Sequence, residues 1–225
     1  MSLQSIHLRK ILKIMYLHGP DRISELRKDI RADIRRANGD DEGGGDFYGP
    51  FWSDAKDHVF NIRDLSEQTE IRISVNDRRK VLYTQLRDGF LLWWDRRRRW
   101  TNQPFIPADK IKRTCRLPGI DADIKFENIL SVRDGRDEEH FVYPYWFPEP
   151  ELSEEAARLA LWALACAFPQ VSPGEIRVLD VIRGRTFASS SDRNPLIGNE
   201  ASLFKERFDR AVEDWMKLRS EYGDG

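Results

Sequence analysis

The sequence predicts an α/β (α+β) protein in which a mixed sheet is flanked by helices and preceded by an N-terminal helical pair. Three observations carry this. FENILSVRDGRDEEHFVYPYWF, residues 126–147, places β-prone runs on either side of the acidic, Gly-containing RDGRDEE and reads as a two-stranded hairpin. LSEEAARLALWALACAF then reads as a helix over 153–168, with Ser153 as its cap and Glu154 and Glu155 in the first turn. EIRVLDVIRGRTF, residues 175–187, supplies a third strand. With 225 residues, 40% of them hydrophobic, the chain is long enough to bury a full core.

The N-terminal pair follows from periodicity. Ile6, Ile11, Leu12, Ile14, Met15 and Leu17 predict a helix over 3–17 that stops at His18-Gly19-Pro20. Asp21 can cap a second helix whose Ile23, Leu26, Ile30 and Ile34 form a stripe. Its polar side carries Arg27, Lys28, Arg31, Arg35 and Arg36, which admits a helix-turn-helix reading, although solvated arginines on the outside of a packed helical hairpin account for them better. ANGDDEGGGD divides the chain into a helical pair over 1–37, a flexible acidic Gly-rich linker over 38–46 and a core domain over 47–225.

Beyond the linker, FYGPFWSDAKDH reads as a loop anchored by Phe47, Tyr48, Phe51 and Trp52. Asp54, Lys56, Asp57 and His58 are residue types of an acid/base or metal site, but neighbours on one loop rarely converge on a point. Residues 69–75 alternate Ile71, Ile73 and Val75 with polar residues and predict a half-buried strand. Asn76 then caps a helix running to about Arg98 on Leu82, Leu86, Phe90, Trp93 and Trp94, weakened by Gly89. After the third strand comes a loop, and Asn199 opens a terminal helix with Leu203, Phe204, Phe208, Ala211, Val212, Trp215 and Leu218 on one face.

Composition narrows the function classes. No apolar run approaches the roughly 18 residues of a membrane span, which makes the cytoplasm the default location. Cys115 and Cys166 are the only cysteines, and Cys166 in an apolar helix reads as a small buried thiol, with no redox or zinc role. Net charge is −1, yet residues 77–116 hold 12 Lys and Arg against 4 Asp and Glu while residues 117–176 hold 4 against 12. Such segregation either builds a basic face beside an acidic one or neutralises itself on folding. The string WWDRRRRWTNQPF marks Arg96, Arg97, Arg98, Arg99 and Trp100 as a candidate surface for single-stranded DNA or RNA, guanidinium groups meeting phosphate and indole stacking on bases. The alternative is structural: tryptophans in the core and arginines in a solvated last helical turn.

The hairpin, helix and third strand together resemble the PD-(D/E)XK nuclease superfamily in its RecB-like branch, whose hairpin carries Asp and then Asp/Glu-x-Lys and whose next helix carries Gln-x-x-x-Tyr. The matching places here hold Asn128, then Tyr143 and Tyr145, then Arg158 and Trp162. The resemblance implies a restriction-endonuclease-like core, and these substitutions imply a degenerate site. An amide and two phenols replace the carboxylates and Lys that would hold Mg²⁺ and activate water. The expectation is therefore a non-catalytic nuclease-like subunit that binds nucleic acid within a larger bacterial assembly, with no cofactor, metal or catalytic residue. Two other classes stay open. One is a protein-interaction module docking through FYGPFW and YPYWFPEP. The other is an active metal-dependent nuclease with a rearranged site built from Asp54, His58, Asp121 or Glu127, and Lys125.

Overall fold

The computed structural model describes residues 5–39, 47–189 and 195–222. Its centre is a five-stranded mixed sheet of β2 (Ile106–Pro107), β5 (Leu130–Arg133), β6 (Glu139–Tyr145), β7 (Ile176–Asp180) and β8 (Arg185–Phe187), in the order β2-β5-β6-β7-β8. β6 and β7 are parallel, with Phe141 opposite Ile176 and Tyr145 opposite Asp180, and the other pairs are antiparallel. The parallel pair requires a crossover, which is α6 (Glu154–Ala167), capped by the Ser153 hydroxyl accepting from the Ala156 amide at 3.1 Å. α6 is nearly all Ala and Leu on its buried faces, so it sits between the sheet on one side and α1 (Leu8–Tyr16) and α7 (Glu200–Ser220) on the other. The expected mixed sheet flanked by helices is therefore present, with nothing in it specific to a restriction-endonuclease-like core. Pro144 lies beyond the last β5–β6 pair, Leu130 with Val142, and its missing amide breaks no rung there.

The N-terminal pair is tied into this core rather than set apart. β1 (Ser5–His7) pairs in parallel with β4 (Asp123–Phe126), which also carries β3 (Arg113–Cys115), making a second sheet ordered β1-β4-β3. Leu8, Ile11, Leu12, Ile14 and Met15 of α1 belong to the same apolar cluster as the central sheet, and α2 (Gly19–Ala37) lies along α7 with Arg22 and Asp214 paired at 2.7 Å. Most of the expected linker, residues 40–46, lies outside the described residues, as do residues 190–194 of the expected loop.

Four local expectations are corrected. The aromatic loop is α3 (Gly49–Val59), with Pro50 in its first turn and Phe51, Trp52, Ala55 and Val59 facing inward at helical spacing. The expected strand over 69–75 is α4 (Leu65–Val75), because Asp64 caps it through the Glu67 amide at 2.9 Å; Ile71 and Val75 are simply exposed. The next helix is broken into a 3₁₀ turn (Asp77–Arg79), α5 (Lys80–Leu91) and a π turn (Leu92–Arg97), in which the Arg98 amide reaches the Trp93 carbonyl at 2.8 Å. That wider turn lets adjacent Trp93 and Trp94 both pack inward. Cys166, expected buried, is exposed on α6.

Gly89 fixes where this helical arm meets the sheet. A Cβ there would overlap the carbonyl oxygens of Val181 and Ile182, in the turn that splits the expected third strand into β7 and β8. On the other side of the contact, Gly184 has φ +57° and its Cβ would lie 2.5 Å from the Gly89 carbonyl oxygen. The glycine that weakens the helix locally is thus what allows backbone to meet backbone. Gly89→Ala is expected to lower stability by ~2–3 kcal/mol, the usual cost of overpacking a rigid contact, in urea unfolding followed by circular dichroism.

A second anchor joins α1 to α2. Glu25 is bridged by Lys10 and by Lys13, the latter at 2.9 Å. Burial pushes the Glu25 carboxyl up, but the two ammonium groups outweigh it and hold the group at about 2, below its ordinary 4.5. Because the folded value is depressed, the stabilisation is complete above pH 4.5 and is lost as pH falls towards 2. Glu25→Gln should therefore flatten the acid limb of stability in this window, read as the difference in melting temperature between the two proteins across pH.

Candidate functional site

The β5–β6 hairpin closes around Asp134. Its Oδ1 accepts the amides of Arg136 at 2.9 Å and Glu138 at 3.2 Å, while the Asp134 amide donates to the Glu138 carbonyl at 3.0 Å. Oδ2 accepts from the Asn102 side chain at 3.2 Å and faces His140 Nε2 at 3.3 Å. Gly135 seats the turn on the preceding segment: its amide donates to the Asn102 carbonyl at 2.7 Å, and a Cβ would overlap the Gln103 carbonyl. Burial would raise the Asp134 carboxyl, but the Arg136 amide, the His140 ring, Asn102 and the Glu138 amide together hold it at about 2, so it is an anion at any working pH.

Asp134, Glu138 and His140 can each present one ligand atom, and these atoms lie within 4.8 Å of one another. Glu138 is exposed, Asp134 and His140 are buried. His140 stacks face to face on Trp100, centroids 4.2 Å apart and planes 11° apart, and its Nδ1 lies 3.5 Å from Arg177 Nη1. Burial lowers the His140 pKa, Asp134 opposes this and Arg177 reinforces it, leaving the ring neutral at physiological pH and thus in the state that ligates metals. Two carboxylates and one imidazole are a donor set for Mn²⁺ or Zn²⁺. Three protein ligands leave coordination positions for water or substrate, as catalytic metal sites do. This trio corrects the expectation of a degenerate, non-catalytic nucleic-acid-binding subunit with no metal ligands.

Trp100 and Arg177 also line an open groove of ≈ 910 Å³. Its walls are Arg97 at the end of the π turn with Arg98 and Arg99 just beyond it, the edge strand β8 with Arg185 and Phe187, and the start of α6 with Ser153 and Glu154. Arg97 Nη1 donates to the carbonyls of Arg183 at 3.0 Å and Gly184 at 3.2 Å. Arg98 lies over the rings of Trp94, at 3.7 Å, and Phe105, at 4.3 Å, and burial lowers its pKa to about 10. Arg96 and Arg99 are exposed, and among the described residues none of Arg96 to Arg99 forms an ion pair with a carboxylate. Trp100 is only 6% exposed. It is packed against Trp93, Trp94 and Phe105 as well as His140, so it offers no free face on which a base could stack.

The residues singled out as a degenerate site do not share a pocket. Asn128 sits at a left-handed position, φ 65°, with its carbonyl accepting from the Trp52 indole at 2.5 Å. Tyr143 is close by, its hydroxyl accepting the Arg9 amide at 3.0 Å, and the Arg9 guanidinium donates to the Glu127 carbonyl at 3.1 Å. Tyr145 donates to the Pro150 carbonyl at 2.8 Å. Arg158 instead reaches Glu200 at the start of α7, 3.2 Å away, and Trp162 packs on Phe204. The rearranged site imagined from Asp54, His58, Asp121, Glu127 and Lys125 is likewise scattered. Asp54 is bound by Arg72, His58 accepts the Leu65 amide at 3.2 Å, and Asp121 pairs with Arg116 at 2.8 Å. The aromatics of FYGPFW and YPYWFPEP are mostly core, with Phe51, Trp52, Tyr143, Tyr145, Trp146 and Phe147 buried.

Comparison with protein-family models, curated protein sequences and solved structures finds no significant match, so the chemistry rests on this geometry alone. Sequence reasoning treated RDGRDEE as a turn and passed over His140. The usable signal was Asp134, Glu138 and His140 spanning one hairpin, since the two-residue strand period puts 138 and 140 on one face and the turn returns 134 beside them.

The burial of Trp100 has a measurable consequence. Trp100→Ala should cost about 3 kcal/mol or more of folding stability in denaturant titration, because it removes the plate on which His140 rests and leaves a cavity among three aromatic rings.

Proposed function

We propose that Asp134, Glu138 and His140 form a divalent-metal centre and that the protein is a metal-dependent hydrolase. The observation that carries this reading is the approach of three ligand atoms to within 4.8 Å on a hairpin that holds them in place. Asp134 supplies a permanently ionised oxygen, His140 a neutral nitrogen and Glu138 a second oxygen at the surface. A metal held there would polarise a bound oxygen and lower the pKa of coordinated water, the chemistry common to metal-assisted hydrolysis. The adjoining groove gives substrate access, because Trp100 and Arg177 belong to its wall and also touch His140. This is the active reading of the chain, with its site moved from Asp54, His58, Asp121 or Glu127, and Lys125 to the hairpin turn.

Asp134 also carries the hairpin, so its removal would confuse binding with folding. Glu138 is the better probe: only its backbone serves the turn. Calorimetric titration with Mn²⁺ and Zn²⁺ should show one site per chain, and Glu138→Gln should weaken it at least about tenfold while leaving the melting temperature of the metal-free protein unchanged. Hydrolysis of chromogenic phosphate and carboxylate esters should depend on the metal and fall with the same variant. A wild-type protein that takes up neither metal would end the proposal.

A further inference from the structure

We propose that the arginine groove binds a phosphorylated ligand of nucleotide size, which makes phosphate esters the substrate class of the hydrolytic centre. Only the word substrate rests on the metal reading; the binding site stands on its own geometry. The groove's ≈ 910 Å³ suits one small ligand, within the roughly 300–1,000 Å³ of such pockets, and is too small for a duplex. Its walls bring arginines from three separate elements, the π turn, β7 and β8, to one opening. Arg99 is exposed with no carboxylate partner among the described residues. Arg98 Nη1 and Arg185 Nε are buried and without a hydrogen-bond partner, so both are donors short of an acceptor. Donors left in this state are costly, and an anion in the groove would satisfy them once either side chain turns towards it.

Two further features point the same way. The groove ends at the N-terminus of α6, fourteen residues long, where the peptide dipole favours negative charge. The acidic residue beside Arg185 is already used: Glu151 binds Arg185 at 2.5 Å and Arg183 at 3.6 Å. Phosphate is the anion that fits forked donors from several sides, since its oxygens accept in more directions than a carboxylate's. Arg177 reaches from this groove to His140, so a phosphate seated on Arg177 lies next to the hairpin that would hold the metal.

The test is titration of the full chain, in chelator and low salt, with a nucleoside triphosphate, inorganic tripolyphosphate and a short single-stranded oligonucleotide, followed by calorimetry and phosphorus NMR. The nucleotide should bind, with or without tripolyphosphate; binding of both assigns recognition to the phosphate chain, and binding of the nucleotide alone shows that the nucleoside contributes. Arg99→Glu, which removes no internal contact, should weaken the nucleotide about tenfold or more. Arg185→Gln should weaken it as well, and Glu138→Gln should not. Failure of both small ligands to bind, equal affinity for wild type and Arg99→Glu, or tight binding of the oligonucleotide alone would overturn the proposal. Loss of metal binding with nucleotide binding intact would remove the hydrolytic reading and leave the groove assignment standing.

Discussion

The contact between Gly89 and the Val181–Gly184 turn is the constraint on which the rest of the candidate site depends. Two backbones meet there with no side chain between them, so α5 approaches the β7–β8 edge more closely than side-chain packing would permit. The π turn begins only three residues later. It therefore lands beside β8, and the arginine string that follows runs along the sheet edge instead of into solvent. Arg97 closes the junction by donating to the Arg183 and Gly184 carbonyls, which would otherwise be unpaired at the end of a strand. The groove is what remains between two elements clamped together at one end.

The hairpin depends on a different kind of restraint. Asp134 performs the folding task first, gathering two amides, an asparagine and the His140 ring on one buried carboxylate. Arg177 can only donate, so its contact makes His140 Nδ1 the acceptor and leaves the ring proton on Nε2, aimed at Asp134. In that state Asp134 and His140 satisfy one another. A metal at Nε2 would replace this hydrogen bond and require the other tautomer, with the ring proton on Nδ1 and the Arg177 guanidinium directed away from it. Arg177 already shares its nitrogen with the Glu175 carbonyl at 3.2 Å, and the groove is its other available direction. An anion in the groove that draws Arg177 off His140 Nδ1 would then favour a metal at the hairpin, and by linkage the metal would favour the anion.

Much of the sheet was legible in the sequence because its signals are local. Strand propensity brackets RDGRDEE, and apolar residues cover 153–168, so the hairpin turn, its second strand, α6 and β7 lie where expected, while the first strand begins only at Leu130 because Phe126 ends β4 in the other sheet. The long terminal helix followed from seven residues on one face. The errors arose where tertiary contacts outweighed the pattern. Ile71, Ile73 and Val75 imitate a strand, yet an Asp64 cap and the packing of α4 on α3 and α5 make them helical. Arg158 pairs with Glu200, which lies more than forty positions downstream and draws it away from Asn128 and Tyr143. No spacing rule connects Trp100 with His140 or Arg98 with Phe105, and these contacts turn a basic aromatic string into the wall of a groove.

The segregated charge takes on a definite meaning in the folded chain. Several opposite charges meet locally, with Glu25 between Lys10 and Lys13, Asp54 under Arg72, and Glu151 against Arg183 and Arg185. That pairing consumes much of the charge but stops short of Arg96 to Arg99. The acidic hairpin that could have neutralised them is held by Gly135 and Asn102 on the far side of Trp100, with the indole and the His140 ring stacked between. One aromatic pair thus separates a cationic groove from an anionic turn at close range, and Arg177 is the charged group that bridges the two among the described residues. Opposite fields kept apart by a thin apolar plate are stronger than fields screened by water, because the intervening medium polarises little. The folded chain holds a place for negative charge and a place for positive charge side by side, the arrangement that metal-assisted chemistry on an anion requires.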